Sequence, residues 1–114
     1  MIIIVCGGRE YNNVDAIYDA LNRVHAKKRI ECIVHGDCTG ADKIAECWAI
    51  NNGVNYAKVP AMWEHHGKAA GPRRNALMLR LASGGLVAFP GGRGTASMIR
   101  LARDAGIPVW EPCQ

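Results

Sequence analysis

The chain has 114 residues, 49% hydrophobic and 21% charged, with 14 Lys and Arg against 10 Asp and Glu for a formal net charge of +4. This size fits one domain, residues 1–114, with a core of its own and the balance of an ordinary globular protein. The basic excess suits an anionic ligand but is too small to require nucleic acid. No apolar run reaches the length of about 20 residues that would span a membrane.

The start Met1–Val5 is apolar but stops at Gly7 with no basic stretch before it, so no signal peptide is expected. Five cysteines, Cys6, Cys32, Cys38, Cys47 and Cys113, form no C-x-x-C pair. They signal neither a disulfide framework nor a zinc site. Cys6, Cys32 and Cys47 fall in apolar periodic segments and are expected as buried thiols, in a protein of the reducing cytoplasm.

Ile2–Cys6 is a continuous β-branched run, the pattern of a strand buried on both faces. The turn Gly7-Gly8-Arg9 follows. Asn13 is placed to cap a helix with Val14, Ile17, Tyr18, Leu21 and Val24 on one stripe, ending at Lys27-Lys28-Arg29. Glu31–His35 is the second strand, and Gly36–Gly40 the second glycine turn. Thr39 and Asp42 have the spacing of a capping box. The next helix sets Ile44, Ala45 and Trp48 on one side and closes at Gly53.

Asn55–Val59 is a weaker strand stopped by Pro60. Residues 61–70 are expected as an irregular loop, long for so small a domain and therefore functional. Pro72 fits the first position of a helix with Leu77, Met78, Leu81 and Ala82 on its apolar face. Arg73, Arg74 and Asn75 fall in its first turn, where basic residues oppose the helix dipole unless an anion sits beside them. Leu86–Phe89 is the fourth strand. Thr95 is expected to cap the last helix, with Met98, Ile99, Ala102 and Ala105 inward and Gly106 at its end. Ile107–Trp110 is a short final strand, and Pro108 makes it an edge.

Strict alternation of strand and helix predicts an α/β fold: a single Rossmann-like domain with a five-stranded parallel sheet, order 3-2-1-4-5, and helices on both faces. Strands 1 and 4 are then neighbours, and the turns Gly7-Gly8-Arg9 and Pro90-Gly91-Gly92-Arg93-Gly94-Thr95 open side by side at the switch point where such sheets bind ligands. Glycines bring backbone N–H groups close to a ligand, and a helix N-terminus favours a phosphate. The later turn is neither a Walker A motif nor G-x-G-x-x-G.

In this layout Gly91–Thr95 binds phosphate, and Arg9, Arg73 and Arg93 neutralise it. His35 and Gly36 stand at the carboxyl edge. Asp37 is placed to meet ribose or to act as a base, Asn75 to assist the phosphate, and Tyr11 or Trp63 to stack a base. Asp42 reads as a helix-start residue. His65 and His66 are adjacent, so they would point apart on a regular element, and no metal site is expected.

Together, Gly7-Gly8-Arg9, His35-Gly36-Asp37, Gly40-Ala41-Asp42, Trp63, the run Gly67–Asn75 and Phe89–Thr95 resemble the YspA-like branch of the SLOG superfamily, found in bacteria and their phages. That superfamily is similar in fold to the LOG phosphoribohydrolases and to the DNA-processing protein DprA. The resemblance implies binding of a nucleotide or nucleotide-derived ligand, and pairing into homodimers as in several relatives. LOG enzymes carry P-G-G-x-G-T-x-x-E, and Met98 stands where that glutamate would be. Arg73 or Arg74 loosely matches the LOG arginine.

The leading expectation is therefore sensing or processing of a nucleotide derivative without a cofactor. N-glycosidic hydrolysis is the alternative, with Asp37 or Glu64 replacing the lost carboxylate and Arg73 assisting. A DprA-like single-strand DNA binder is the weakest, given seven aromatic residues and a charge of +4.

Overall fold

The computed structural model describes residues 1–82 and 84–113. The elements are β1 (Ile2–Cys6), α1 (Val14–Lys27), β2 (Cys32–His35), α2 (Ala41–Asn51), β3 (Asn55–Lys58), α3 (Trp63–His66), a 3₁₀ turn over Gly67–Ala69, α4 (Ala70–Leu81), β4 (Gly85–Ala88), α5 (Arg93–Asp104) and β5 (Val109–Trp110). The five strands form one parallel sheet in the order β3-β2-β1-β4-β5, as the alternation predicts.

β1 lies at the centre, and its residues alternate between the two faces. Ile3 and Val5 enter a cluster with Ile17 and Leu21 of α1 and Trp48 of α2. Ile4 and Cys6 enter the opposite cluster with Met78 of α4 and Met98 and Ala102 of α5. Burial on both faces explains why the strand reads as an unbroken apolar run. Asn13 caps α1, its Oδ1 accepting from the Ala16 N–H at 3.1 Å. Trp48 is fully buried, and its indole N–H donates to Asn22 Oδ1 at 2.8 Å. Among the described residues no helix is long and apolar enough to cross a membrane.

Several local expectations are corrected. The expected loop 61–70 holds α3 and the 3₁₀ turn, and α4 starts at Ala70 rather than Pro72. Arg73, Arg74 and Asn75 thus sit two residues, about half a turn, further in. Leu77 and Leu81 face solvent, because the stripe of α4 that meets the sheet is Ala70, Asn75 and Met78. Thr95 lies inside the first turn of α5, and the cap is Gly92. Ala105 and Val14 are exposed, as is Cys47, on the outer side of α2. The fourth strand ends at Ala88, and the fifth starts at Val109 with Pro108 supplying only its carbonyl, to Leu86 N–H.

Thr39 and Asp42 form no capping box; the α2 cap is Gly40, at φ +75°, with no side-chain cap bond. Asp42 instead reaches back over the β2–α2 turn. Its Oδ2 accepts from the Gly36 N–H at 3.0 Å and the Cys38 N–H at 3.3 Å. Burial raises its carboxyl above the usual range, against the lowering effect of those two N–H groups and of Arg74.

A carboxyl raised in the folded state binds its proton more tightly there than in the unfolded chain, so its contribution to stability rises as pH falls through the carboxylate range. Asp42→Asn keeps an acceptor for both N–H groups and removes this titration. The Tm advantage of wild type over Asp42→Asn is therefore expected to grow from pH 7 toward pH 4, as followed by circular dichroism. Asp42→Ala, which strands two donors, should cost about 2 kcal/mol or more at every pH.

Candidate functional site

Three turns meet at the carboxyl edge of the sheet, and the Gly8 peptide joins them. Its N–H donates to Pro90 O at 2.8 Å, while its carbonyl accepts from Tyr11 N–H at 3.2 Å and Ala41 N–H at 3.3 Å. Thr39 Oγ1 adds a bond to Arg9 O at 3.1 Å. Side chains are excluded here by contact. A Cβ on Gly7 would stand 2.6 Å from Ala41 Cβ, and one on Gly8 would stand 3.0 Å from Pro90 O. A Cβ on Gly91 would overlap Thr95 Oγ1, and one on Gly40 the Gly8 carbonyl oxygen. At Gly92 and Gly94 a Cβ would meet nothing within 4 Å. These two glycines border open space, namely the cleft.

The cleft has a volume of about 500 Å³, within the range of small-molecule sites. Gly7, Gly8 and Arg9 form one wall, Gly92–Thr95 the next, and Trp63, Gly71, Arg74 and Asn75 the third. Cys6, Met78 and Met98 form its apolar floor, and Asp42 is the only acid along it. The first N–H groups of α5 have no intrahelical partner, no side chain caps them, and the residues that carry them line the cleft. No acid stands in the first turn of α4 or α5, whereas α1 and α2 carry Asp15 and Asp42 there. The cleft therefore sees an unneutralised positive helix end together with Arg9, Arg74 and Arg93.

Arg74 rather than Arg73 turns inward. Its Nη1 donates to Gly36 O at 2.9 Å and its Nε to Asn75 Oδ1 at 2.9 Å. Gly36 must lack a side chain, because a Cβ would run into that guanidinium. Arg73 is exposed on the outside of α4. The indole of Trp63 reaches Gly71 and stays half-exposed along the cleft. Cys38 Sγ lies 3.8 Å from Arg74 Nη1. Burial pushes the Cys6 thiol up to about 12, which keeps it protonated and unreactive at neutral pH.

A second depression of about 360 Å³ shares Arg9, Gly36, Cys38, Trp63 and Arg74 with the cleft and extends it to Asp37 and Pro60. Asp37 has φ +57° and pairs with Lys43 Nζ at 2.6 Å, a hydrogen bond that holds its carboxyl below the usual range. Pro90 and Gly91 border a separate depression behind the glycine turn.

His35 lies beneath the site, fully buried. Its Nδ1 accepts the Asp37 N–H at 3.0 Å, so its proton sits on Nε2, 3.0 Å from Glu46 Oε1. Tyr11 stacks on Phe89, with its hydroxyl 3.4 Å from Cys113 Sγ, and lines no part of the cleft. Glu64, His65 and His66 are exposed on α3, outside it.

Of the residues singled out from sequence, Gly7, Gly8, Arg9, Gly36, Trp63, Asn75 and Gly92–Thr95 thus converge; Asp37 adjoins them; Tyr11, His35, Glu64, Arg73, Pro90 and Gly91 stand apart. Asp42, Cys38 and Met98 were not among the expected ligand contacts, and Arg74 was expected beside an anion only together with Arg73, which was preferred to it. Arg74 was recoverable, since it sits next to the inward residue Asn75 on one flank of the buried stripe.

The sequence comparisons agree with this architecture. A family model described as the YspA, cpYpsA-related SLOG family matches residues 1–66, the span from β1 through α3. The Gene 61 protein of Mycobacterium phage D29 is 38% identical over 115 residues, covering 94% of this chain and 92% of that protein. With a family match over more than half its length and a relative aligned from end to end, the chain belongs to the YspA, cpYpsA-related SLOG family.

Proposed function

We propose that the cleft binds a nucleotide or nucleotide-derived ligand by its phosphate. The observation that carries this reading is the uncapped start of α5, which opens between Arg9, Arg74 and Arg93 with no acid in its first turn. Backbone N–H groups of Arg93, Gly94 and Thr95 hold the phosphate, and the arginines offset its charge. The sugar lies toward Asp37, and the base lies against Trp63. Membership of the SLOG family supports a nucleotide-related ligand. Five unpaired thiols suit a reducing cytoplasm.

N-glycosidic hydrolysis is the second reading, favoured by one observation. Asp42 lines the cleft, binds through one oxygen only, and has a carboxyl raised by burial, as a general acid needs. It stands nearer the cleft than Asp37 or Glu64. Release of free base from AMP, lost in Asp42→Asn, would promote this reading; intact AMP after prolonged incubation removes it.

Calorimetric titration with AMP, ADP-ribose, NAD and cyclic nucleotides is expected to give saturable binding by at least one. Gly92→Asp places a carboxylate at the α5 cap. Asp at a cap is as good as Gly or better by a few tenths of a kcal/mol, so Tm should hold or rise while affinity falls at least tenfold. No binding by any of the four, with Gly92→Asp behaving as wild type, would sink the reading.

Stability measurements separate the two kinds of glycine. Gly94→Ala, with room for its Cβ, should stabilise by about 0.5 kcal/mol. Gly91→Ala, which meets Thr95 and Gly8, should cost about 1–3 kcal/mol. Denaturant unfolding of each variant reads the difference.

A further inference from the structure

The small net charge conceals a segregation. Residues 1–66 carry seven basic and eight acidic side chains, whereas residues 67–105, which build α4, β4 and α5, carry seven basic side chains and one acid, Asp104. Four of those arginines share the outer surface. Arg73 and Arg80 of α4, and Arg93 and Arg100 of α5, are exposed. Among the described residues none of the four forms an ion pair.

Each pair is spaced i, i+7, which puts both members on one side of their helix about 10 Å apart. Asn75 and Met78 of α4, and Met98 and Ala102 of α5, are buried on the opposite side against the sheet. Arg73, Arg80 and Arg100 therefore face outward, and Arg93, at the start of α5, stands between this face and the cleft. α4 and α5 pack side by side, and packed helices lie about 8–10 Å apart. The four guanidiniums stand as an array about 10 Å on each edge, with Ala76 and Ala96 exposed among them and no acid between.

We propose that this outer α4–α5 face binds nucleic acid through its phosphate backbone. A repeating anion suits the array, since each strand of a duplex carries one phosphate per about 3.4 Å of helix axis, and an edge of about 10 Å spans several of them. All four cations are arginines, which fork onto phosphate oxygens. The face presents no aromatic ring, so bases are not read and binding is independent of sequence.

An anionic bilayer fits less well, because it needs apolar side chains among the cations. Leu77 and Leu81, exposed on α4, follow Arg74 at i+3 and i+7. Leu81 lies on the Arg74 flank of α4, which leaves Leu77, four residues after Arg73 and three before Arg80, as the one large apolar side chain of α4 beside the array. The surface meets the cleft at Arg93, which borders both, while Arg73, Arg80 and Arg100 lie outside the cleft.

Fluorescence anisotropy with labelled single-stranded and duplex oligonucleotides of about 30 nucleotides, between about 50 and 200 mM salt, tests the proposal. Wild type is expected to bind, with log K falling against log salt at a slope of about −3 to −4 for four phosphate contacts. Arg80→Glu with Arg100→Glu, both remote from the cleft, should weaken binding at least tenfold at the lowest salt and roughly halve the slope. The same double variant should stay folded, with a Tm slightly lowered because Arg80→Glu puts a negative charge in the last turn of α4. It should keep the wild-type response to nucleotides, which keeps this proposal distinct from the cleft reading.

No anisotropy change with wild type at the lowest salt, or equal affinity and slope in the double variant, overturns it. So does binding to phosphatidylserine–phosphatidylcholine vesicles while both oligonucleotides stay free.

Discussion

The Gly8 peptide is the contact on which the ligand edge depends. A parallel sheet ends in turns that no hairpin joins, so each must be held by its neighbours. Gly8 donates its N–H to Pro90 O in the turn after β4, and its carbonyl accepts from Ala41 N–H at the start of α2 and from Tyr11 N–H of its own turn. Each bond adds about 1 kcal/mol, and each donor left unpaired there would cost more than that. Such close approach requires bare backbone at 7, 8 and 91, which explains those glycines without any ligand. Gly92 and Gly94 border the open cleft instead, and no close contact requires them. One sequence motif thus divides into a part that packing explains and a part for which the proposed ligand would account.

The two faces of the sheet also obey different rules of charge. On one side, α1 and α2 begin with acids that offset the helix dipole. On the other, α4 and α5 begin without acids and carry the arginines. This arrangement costs local stability, and the fold recovers part of it by satisfying Arg74 through Gly36 and Asn75. Positive potential is left over at the start of α5 and along the outer α4–α5 surface. Both places have the character of sites for anions.

Sheet order and the adjacency of the glycine turns were legible because alternation and right-handed crossovers leave few topologies. The phase of α4 was not. Leu77 and Leu81 look like an inward stripe, yet the helix turns Asn75 and Met78 inward, since Asn75 is satisfied by the Arg74 guanidinium. Adjacent residues differ by about 100° around a helix, so that error also exchanged Arg73 for Arg74 as the cleft arginine. α3 escaped notice because a four-residue helix between Pro60 and Gly67 leaves no periodic signal. Asp42 could be read only as a helix-start residue, because its bonds to Gly36 and Cys38 exist only once the β2–α2 turn folds back over it.

Met98 bears most directly on what the cleft can do. It is buried on the apolar floor, in the same cluster as Ile4, Cys6 and Met78. A carboxylate there would be desolvated by that floor unless a cation or hydrogen-bond donors faced it. A methionine removes that cost and brings no group able to exchange a proton. Asp42 is then the one acid along the cleft, and its Oδ2 is already committed to holding a turn. Three arginines, an open helix end, an aromatic wall and one largely occupied carboxylate therefore favour the proposed holding of an anion over its transformation.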